Sequence, residues 1–80
     1  MIRIEGANAS RTFALDIGPN VPDAIHEANG TAFLRELQQR GLRPNGDVTV
    51  ASIVEQEPDR YGQPRAVITY AVGLQPAEEA

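Results

Sequence analysis

Two segments near the C-terminal end of the chain decide the fold. They read VTVASIVE at residues 48–55 and RAVITYAVGL at residues 65–74. β-Branched and aromatic side chains are frequent in both, which is typical of strands. Between them residues 57–64 read EPDRYGQP, and the two prolines and the glycine indicate a loop. The pattern therefore predicts an antiparallel hairpin made of the two strongest strands in the sequence.

Neither face of this hairpin carries a charge between Val48 and Val54 or between Ala66 and Leu74. Symmetric pairing about the loop predicts one face of the hairpin that meets a helix. On this face Val54 lies beside Ala66, Ser52 beside Ile68, Val50 beside Tyr70 and Val48 beside Val72. The reverse face then presents small uncharged side chains: Thr49, Ala51, Ile53, Val67, Thr69 and Ala71. Because a solvated face of an antiparallel sheet normally carries charges, the reverse face requires a cover.

Three covers of the reverse face are compatible with the sequence. A second copy of the chain could stack on it, a different protein could bind it, or the N-terminal strands could fold back over it and close a small barrel. Small domains often complete their core by twofold association. We therefore expect a homodimer.

The N-terminal part of the chain predicts a second hairpin. Ile2 and Ile4 alternate with Arg3 and Glu5, and residues 12–17 alternate in the same way after a short polar loop. Period-two patterning with one apolar and one polar face is typical of half-buried strands. The sequence Gly-Pro-Asn at residues 18–20 then ends the hairpin.

Helical composition follows from Pro22 to Gly41, but its apolar residues form two stripes. At about 100° per residue the stripes point in nearly opposite directions. The first contains Ala24, Ile25, Ala28 and Ala32, and the second contains Phe33, Leu34 and Leu37. Asn29 and Gly30 lie where the stripes change over, and an interior glycine costs about 1 kcal/mol. We therefore predict a broken helix, with a weak segment at 22–28 and the main helix at 31–41, ended by Gly41.

Together these elements predict one α+β domain over residues 1–74, of order ββαββ. Its four-stranded antiparallel sheet carries the single broken helix region on one face. The remaining residues 75–80, QPAEEA, are expected to be a disordered tail.

The composition excludes several kinds of site. The 80 residues include no cysteine, and all seven basic residues are arginine, so there is no disulfide, thiolate ligand or lysine nucleophile. A net charge of −4 disfavours binding to a phosphate backbone. Arg3 and Glu5 interrupt any apolar N-terminal stretch, which predicts no export signal and a cytoplasmic location.

His26 is the only histidine, and Asp23 and Glu27 would lie near it on a helix. A carboxylate beside an imidazole can form a general base, so one alternative is an enzyme or carrier of a small ligand centred on His26. These three groups are too few for a typical metal site. No nucleophile accompanies them, and we predict no catalysis, no metal and no cofactor.

The long loop offers the better binding candidates. Arginine and tyrosine are frequent at binding hot spots, so Arg60 and Tyr61, with Asp59 and Arg65, are predicted to contact another protein. We expect a non-enzymatic interaction module, such as an inhibitor or adaptor, that also self-associates. The alternative is nucleic-acid or anion binding through the exposed arginines and the loop tyrosine: Arg35, Arg40, Arg43, Arg60, Tyr61 and Arg65.

Overall fold

The computed structural model describes residues 2–75, which form four strands and one helix. The elements are β1 (Ile2–Glu5), β2 (Asn8–Leu15), α1 (Asp23–Gln39), β3 (Pro44–Gln56) and β4 (Arg65–Leu74). All neighbouring strands are antiparallel and form a single sheet of order β1-β2-β4-β3. The predicted α+β class and ββαββ order are confirmed. No helix among the described residues is both long and apolar enough to cross a membrane.

Most of the predicted tail lies outside the described residues. Gln75 is described, and its backbone N–H donates to the carbonyl oxygen of Arg43 at 2.9 Å. This hydrogen bond ties the residue after β4 to the residue before β3.

The N-terminal hairpin extends the sheet instead of folding over it. β2 pairs with β4, so that Ala9 lies opposite Val72 and Thr12 opposite Thr69. Of the three covers considered above, closure into a small barrel is therefore wrong. The reverse face of the sheet is not covered by the N-terminal strands.

The core lies between α1 and the opposite side of the sheet. Phe33 and Leu37 of the helix are fully buried against alternate residues of β4. The buried cluster consists of Ile2, Ala9, Phe33, Leu37, Ile68, Tyr70, Val72 and Leu74. Because β4 is flanked by β2 and β3, it is the strand around which this core is built.

The helix is continuous, so the predicted break at Asn29 and Gly30 is wrong. Side chains on both sides of Gly30 reach the sheet, which offsets the cost of an interior glycine. His26 Nδ1 and Asn29 Nδ2 lie 2.8 Å and 3.2 Å from Tyr70 Oη. In the first apolar stripe, Ala24 and Ala28 are exposed to solvent, so this side of the helix does not require a second cover.

The helix ends at Gln39 with Arg40 as its C-cap, two residues before the predicted end, and Gly41 is the glycine that follows the cap. Gly41 has a φ of 72°, a backbone conformation that favours glycine. Its N–H donates to Gln38 O at 3.0 Å, and the N–H of Leu42 donates to Leu37 O at 2.9 Å. This pair of hydrogen bonds is a Schellman motif, which satisfies carbonyls that the last turn leaves without partners.

The register of the C-terminal hairpin differs from the symmetric prediction. Val50 lies opposite Tyr70 as predicted, but Val54 lies opposite Val67 instead of Ala66. An irregularity between Val50 and Ser52 inserts Ala51 as an extra residue. Because alternate residues point to opposite faces, this one-residue shift turns Ile53 to the helix side, opposite Ile68.

Candidate functional site

The side of the sheet away from α1 is a broad uncharged surface, here called the outer face. Its middle row contains Thr12, Thr69 and Ser52, which lie side by side on β2, β4 and β3. Small side chains occupy the rows on either side. The outer face consists of Ser10, Thr12, Ala14, Thr49, Ser52, Val54, Val67, Thr69 and Ala71.

Hydroxyl groups organise the outer face. The Thr12 and Thr69 hydroxyl oxygens lie 3.0 Å apart, within hydrogen-bond distance across β2 and β4. Thr49 Oγ1 donates to the carbonyl oxygen of Ala71 at 3.3 Å. Since these hydroxyls have hydrogen-bond partners within the sheet, the surface that they present is less polar than its composition indicates.

Charges lie only at the margins of the outer face within the described residues. Arg3 and Glu5 of β1 form an exposed ion pair at 2.6 Å. Arg65 is the first residue of β4, and its guanidinium donates to the carbonyl oxygen of Glu57 at 2.9 Å and 3.0 Å. The centre of this exposed surface therefore lacks the charges that keep a solvated sheet face from associating.

The predicted self-association residues are largely brought together. Thr49, Val67, Thr69 and Ala71 lie on the outer face. Ile53 does not, because the Ala51 bulge turns it to the helix side. The sequence prediction missed Ser10, Thr12 and Ala14, since their place depends on the pairing of β2 with β4.

The four predicted loop residues divide into a framework and a tip. Asp59 Oδ1 accepts hydrogen bonds from the backbone N–H groups of Tyr61 and Gln63 at 2.8 Å and 2.9 Å. Together with the Arg65 contacts, these bonds fix the shape of the loop. Tyr61 is 82% exposed, and the Arg60 guanidinium carbon lies 6.0 Å from its ring centroid. Asp59 and Arg65 thus position a tip that presents Arg60 and Tyr61.

The arginines of the alternative nucleic-acid or anion site do not lie together. Arg43 precedes β3 and Arg60 follows it, and the 13 residues of that strand separate the two by roughly 40 Å. Arg40 lies 3.5 Å from Glu36 in an ion pair within the helix. The arginines of the helix end and of the loop therefore belong to opposite ends of the molecule.

His26 serves to attach the helix to the sheet. Its Nδ1 is bonded to Tyr70 Oη on β4, and its ring meets the Tyr70 ring edge to face at 5.8 Å. Among residues 2–75, histidine and acidic side chains form no group of three or more that could hold a metal ion. The geometry gives His26 a structural partner that sequence analysis did not identify.

Arg11 is a second structural residue that sequence analysis missed. It lies on β2, where its Nη1 is 3.0 Å from Glu36 Oε1 and 3.5 Å from the Ala32 carbonyl oxygen. Its guanidinium carbon also lies 4.4 Å from the Phe13 ring centroid. These contacts join α1 to β2 at a partly buried position.

Comparison of the chain with protein-family models, with curated proteins and with solved structures gives no match.

Proposed function

We propose that this protein is a cytoplasmic, non-enzymatic protein-interaction module that forms a homodimer by stacking its outer face on that of a second copy. The observation that carries the proposal is an exposed face, three strands wide, without a charge at its centre. Sheets that stack face to face lie about 10 Å apart, and the side chains of the two inner faces interdigitate between them. The small and apolar side chains of the outer face suit such a stack.

The size of the outer face bears on the strength of the dimer. Three strands about 4.8 Å apart span about 14 Å, and the outer-face residues of β4, from Val67 to Ala71, extend about 17 Å. Their projected footprint is about 240 Å² per subunit, or about 480 Å² for both. Stable specific interfaces exceed about 1,000 Å² in total, so a stack through these residues alone is expected to be a weak dimer that dissociates on dilution.

The direct test is the mass of the protein in solution. Light scattering behind a sizing column, repeated over a dilution series, should give twice the chain mass at high concentration and the chain mass after sufficient dilution. A monomer at every concentration would contradict the proposal. The dimer should also dissociate when a charge is introduced at the centre of the outer face.

We further propose that the loop tip contacts a different protein. The hydrogen bonds that Asp59 accepts fix the backbone of the loop that presents Arg60 and Tyr61. A preformed tip loses less conformational entropy on binding than a flexible one. Affinity capture with the wild type and with an Arg60→Ala, Tyr61→Ala variant tests this contact. The variant keeps the Asp59 framework, so an unchanged set of captured proteins would remove the tip from the proposal.

A further inference from the structure

On the helix side of the sheet, the edge strand β3 packs against the core at Val48 and is left uncovered beyond it. Val50 and Ile53 share this side with Tyr70 and Ile68 of β4, which are buried. Val50 is 45% exposed and Ile53 is 38% exposed. The contrast between adjacent strands shows that, beyond Val48, the cover provided by α1 ends between β4 and β3.

The side of α1 that faces β3 is equally open. Leu34 is 38% exposed, and a side chain added at Gly30 would meet no atom within 4 Å. An open groove of about 510 Å³ lies between these residues and the start of β3 near Val48. We use the name shelf for Gly30, Leu34 and Val48, which line this groove, together with Val50 and Ile53, which follow Val48 on the helix side of β3.

The width and length of the shelf fit one additional helix. Helices pack about 8–10 Å from their neighbours, which is about two strand spacings, so a four-stranded sheet holds two helices side by side. From Val48 to Ile53 the strand extends about 17 Å, which equals about 11 helical residues at 1.5 Å each. The absence of a side chain at Gly30 lets such a helix approach α1 closely.

The rim of the groove determines the charge of its occupant. Glu27 and Asp47 line it, and among the described residues that do so they carry the only charges. The exposed loop tip of a second copy brings the acidic residues Glu57 and Asp59 with Arg60, so it does not complement this rim. A segment with basic side chains on either side of an apolar stripe does.

We propose that the shelf binds an amphipathic helix of about three turns from a partner protein, with apolar residues on β3 and α1 and lysine or arginine against Glu27 and Asp47. The shelf lies on the opposite side of the sheet from the outer face. The proposal therefore goes beyond self-association and does not depend on it.

The test is a selection from a displayed library of 14-residue peptides with helical patterning and random charge, using the full chain as bait. We expect enrichment of peptides that combine lysine or arginine with an apolar i, i+3, i+4 stripe. Each selected peptide is then measured by fluorescence anisotropy against Gly30→Leu, which fills the shelf with a better helix former, and against Ala28→Leu. Ala28 is exposed on the outward side of α1 and serves as the control for added bulk.

Gly30→Leu should weaken binding at least tenfold, and Ala28→Leu should leave it unchanged. The variant Glu27→Lys, Asp47→Lys should reject the basic peptides. Failure to enrich peptides, or peptides insensitive to Gly30→Leu, would overturn the site. Shelf-dependent peptides that are acidic would overturn the assigned partner chemistry. A loss of dimer mass in Gly30→Leu, with the outer face intact, would make a second copy the occupant and overturn the proposal of a foreign partner.

Discussion

Thr69→Arg is the sharpest perturbation of the proposed dimer. Thr69 is the central residue of the outer face, with Thr12 on one side and Ser52 on the other. In a twofold stack this substitution buries one guanidinium from each subunit in the middle of the interface. It costs the folded monomer little, since the position is only half-buried and the principal loss is the hydrogen bond to Thr12.

The expected size of the effect follows from the geometry of stacked sheets. Two like charges about 10 Å apart at an effective dielectric constant of about 20 repel by about 1.7 kcal/mol. Desolvation of the two charges adds several kcal/mol. A total of about 4 kcal/mol or more raises the dissociation constant at least about 1,000-fold, since each 1.4 kcal/mol is a factor of ten.

The assay is light scattering over a dilution series, with thermal unfolding by circular dichroism to verify that the monomer is folded. Thr69→Arg should be a folded monomer where the wild type is a dimer. Ala28→Arg adds the same charge to the exposed side of α1 and should remain dimeric. Thr69→Val also removes the hydroxyl but adds no charge, and it should remain dimeric as well. A Thr69→Arg variant that dissociates like the wild type would refute stacking through this face.

Three further predictions concern the stability of the monomer. Tyr70→Phe should lower the free energy of unfolding by about 1–2 kcal/mol in urea titration, because it removes the hydroxyl bonded to His26 and Asn29. Tyr61→Phe, at a position that is 82% exposed, should leave it unchanged, and equal effects would contradict this role of Tyr70. Gly30→Ala should raise the free energy of unfolding by about 0.5–1 kcal/mol, since the new methyl group enters open space in a helix; a decrease would indicate that the backbone there is strained. A double-mutant cycle on Arg11 and Glu36 should give a coupling of about 1 kcal/mol that falls with added salt, and a coupling near zero would show that this partly buried pair is no stronger than an exposed one.

The order of the elements was predictable because its signals are local. Alternation over two residues identifies β1 and β2, and β-branched and aromatic residues identify β3 and β4. The end of the helix was also predictable, because Gly41 adopts a backbone conformation that few other residues tolerate. Each of these signals depends on a residue and its immediate neighbours.

The continuous helix and the shifted register were not predictable because they depend on distant residues. Gly30 favours a break locally, and contacts to the distant strand β4 show why the helix continues, among them those to Tyr70, about forty positions away. Nothing in the composition of VTVASIV marks Ala51 as the extra residue. That single insertion decides whether Ile53 or Val54 faces the helix, and hence which of them belongs to the candidate site.

The two proposed surfaces share one strand, β3. It is an edge strand of 13 residues, paired on one side only, and most of it is exposed on both faces of the sheet. Edge strands of this length are usually protected by charges, and β3 has none between Val48 and Val54. The Ala51 bulge distributes its apolar residues, so that Val54 adds to the outer face and Ile53 to the shelf. A strand with this pattern gains cover from outside the chain on either face, which is why we infer binding surfaces on both sides of the same sheet.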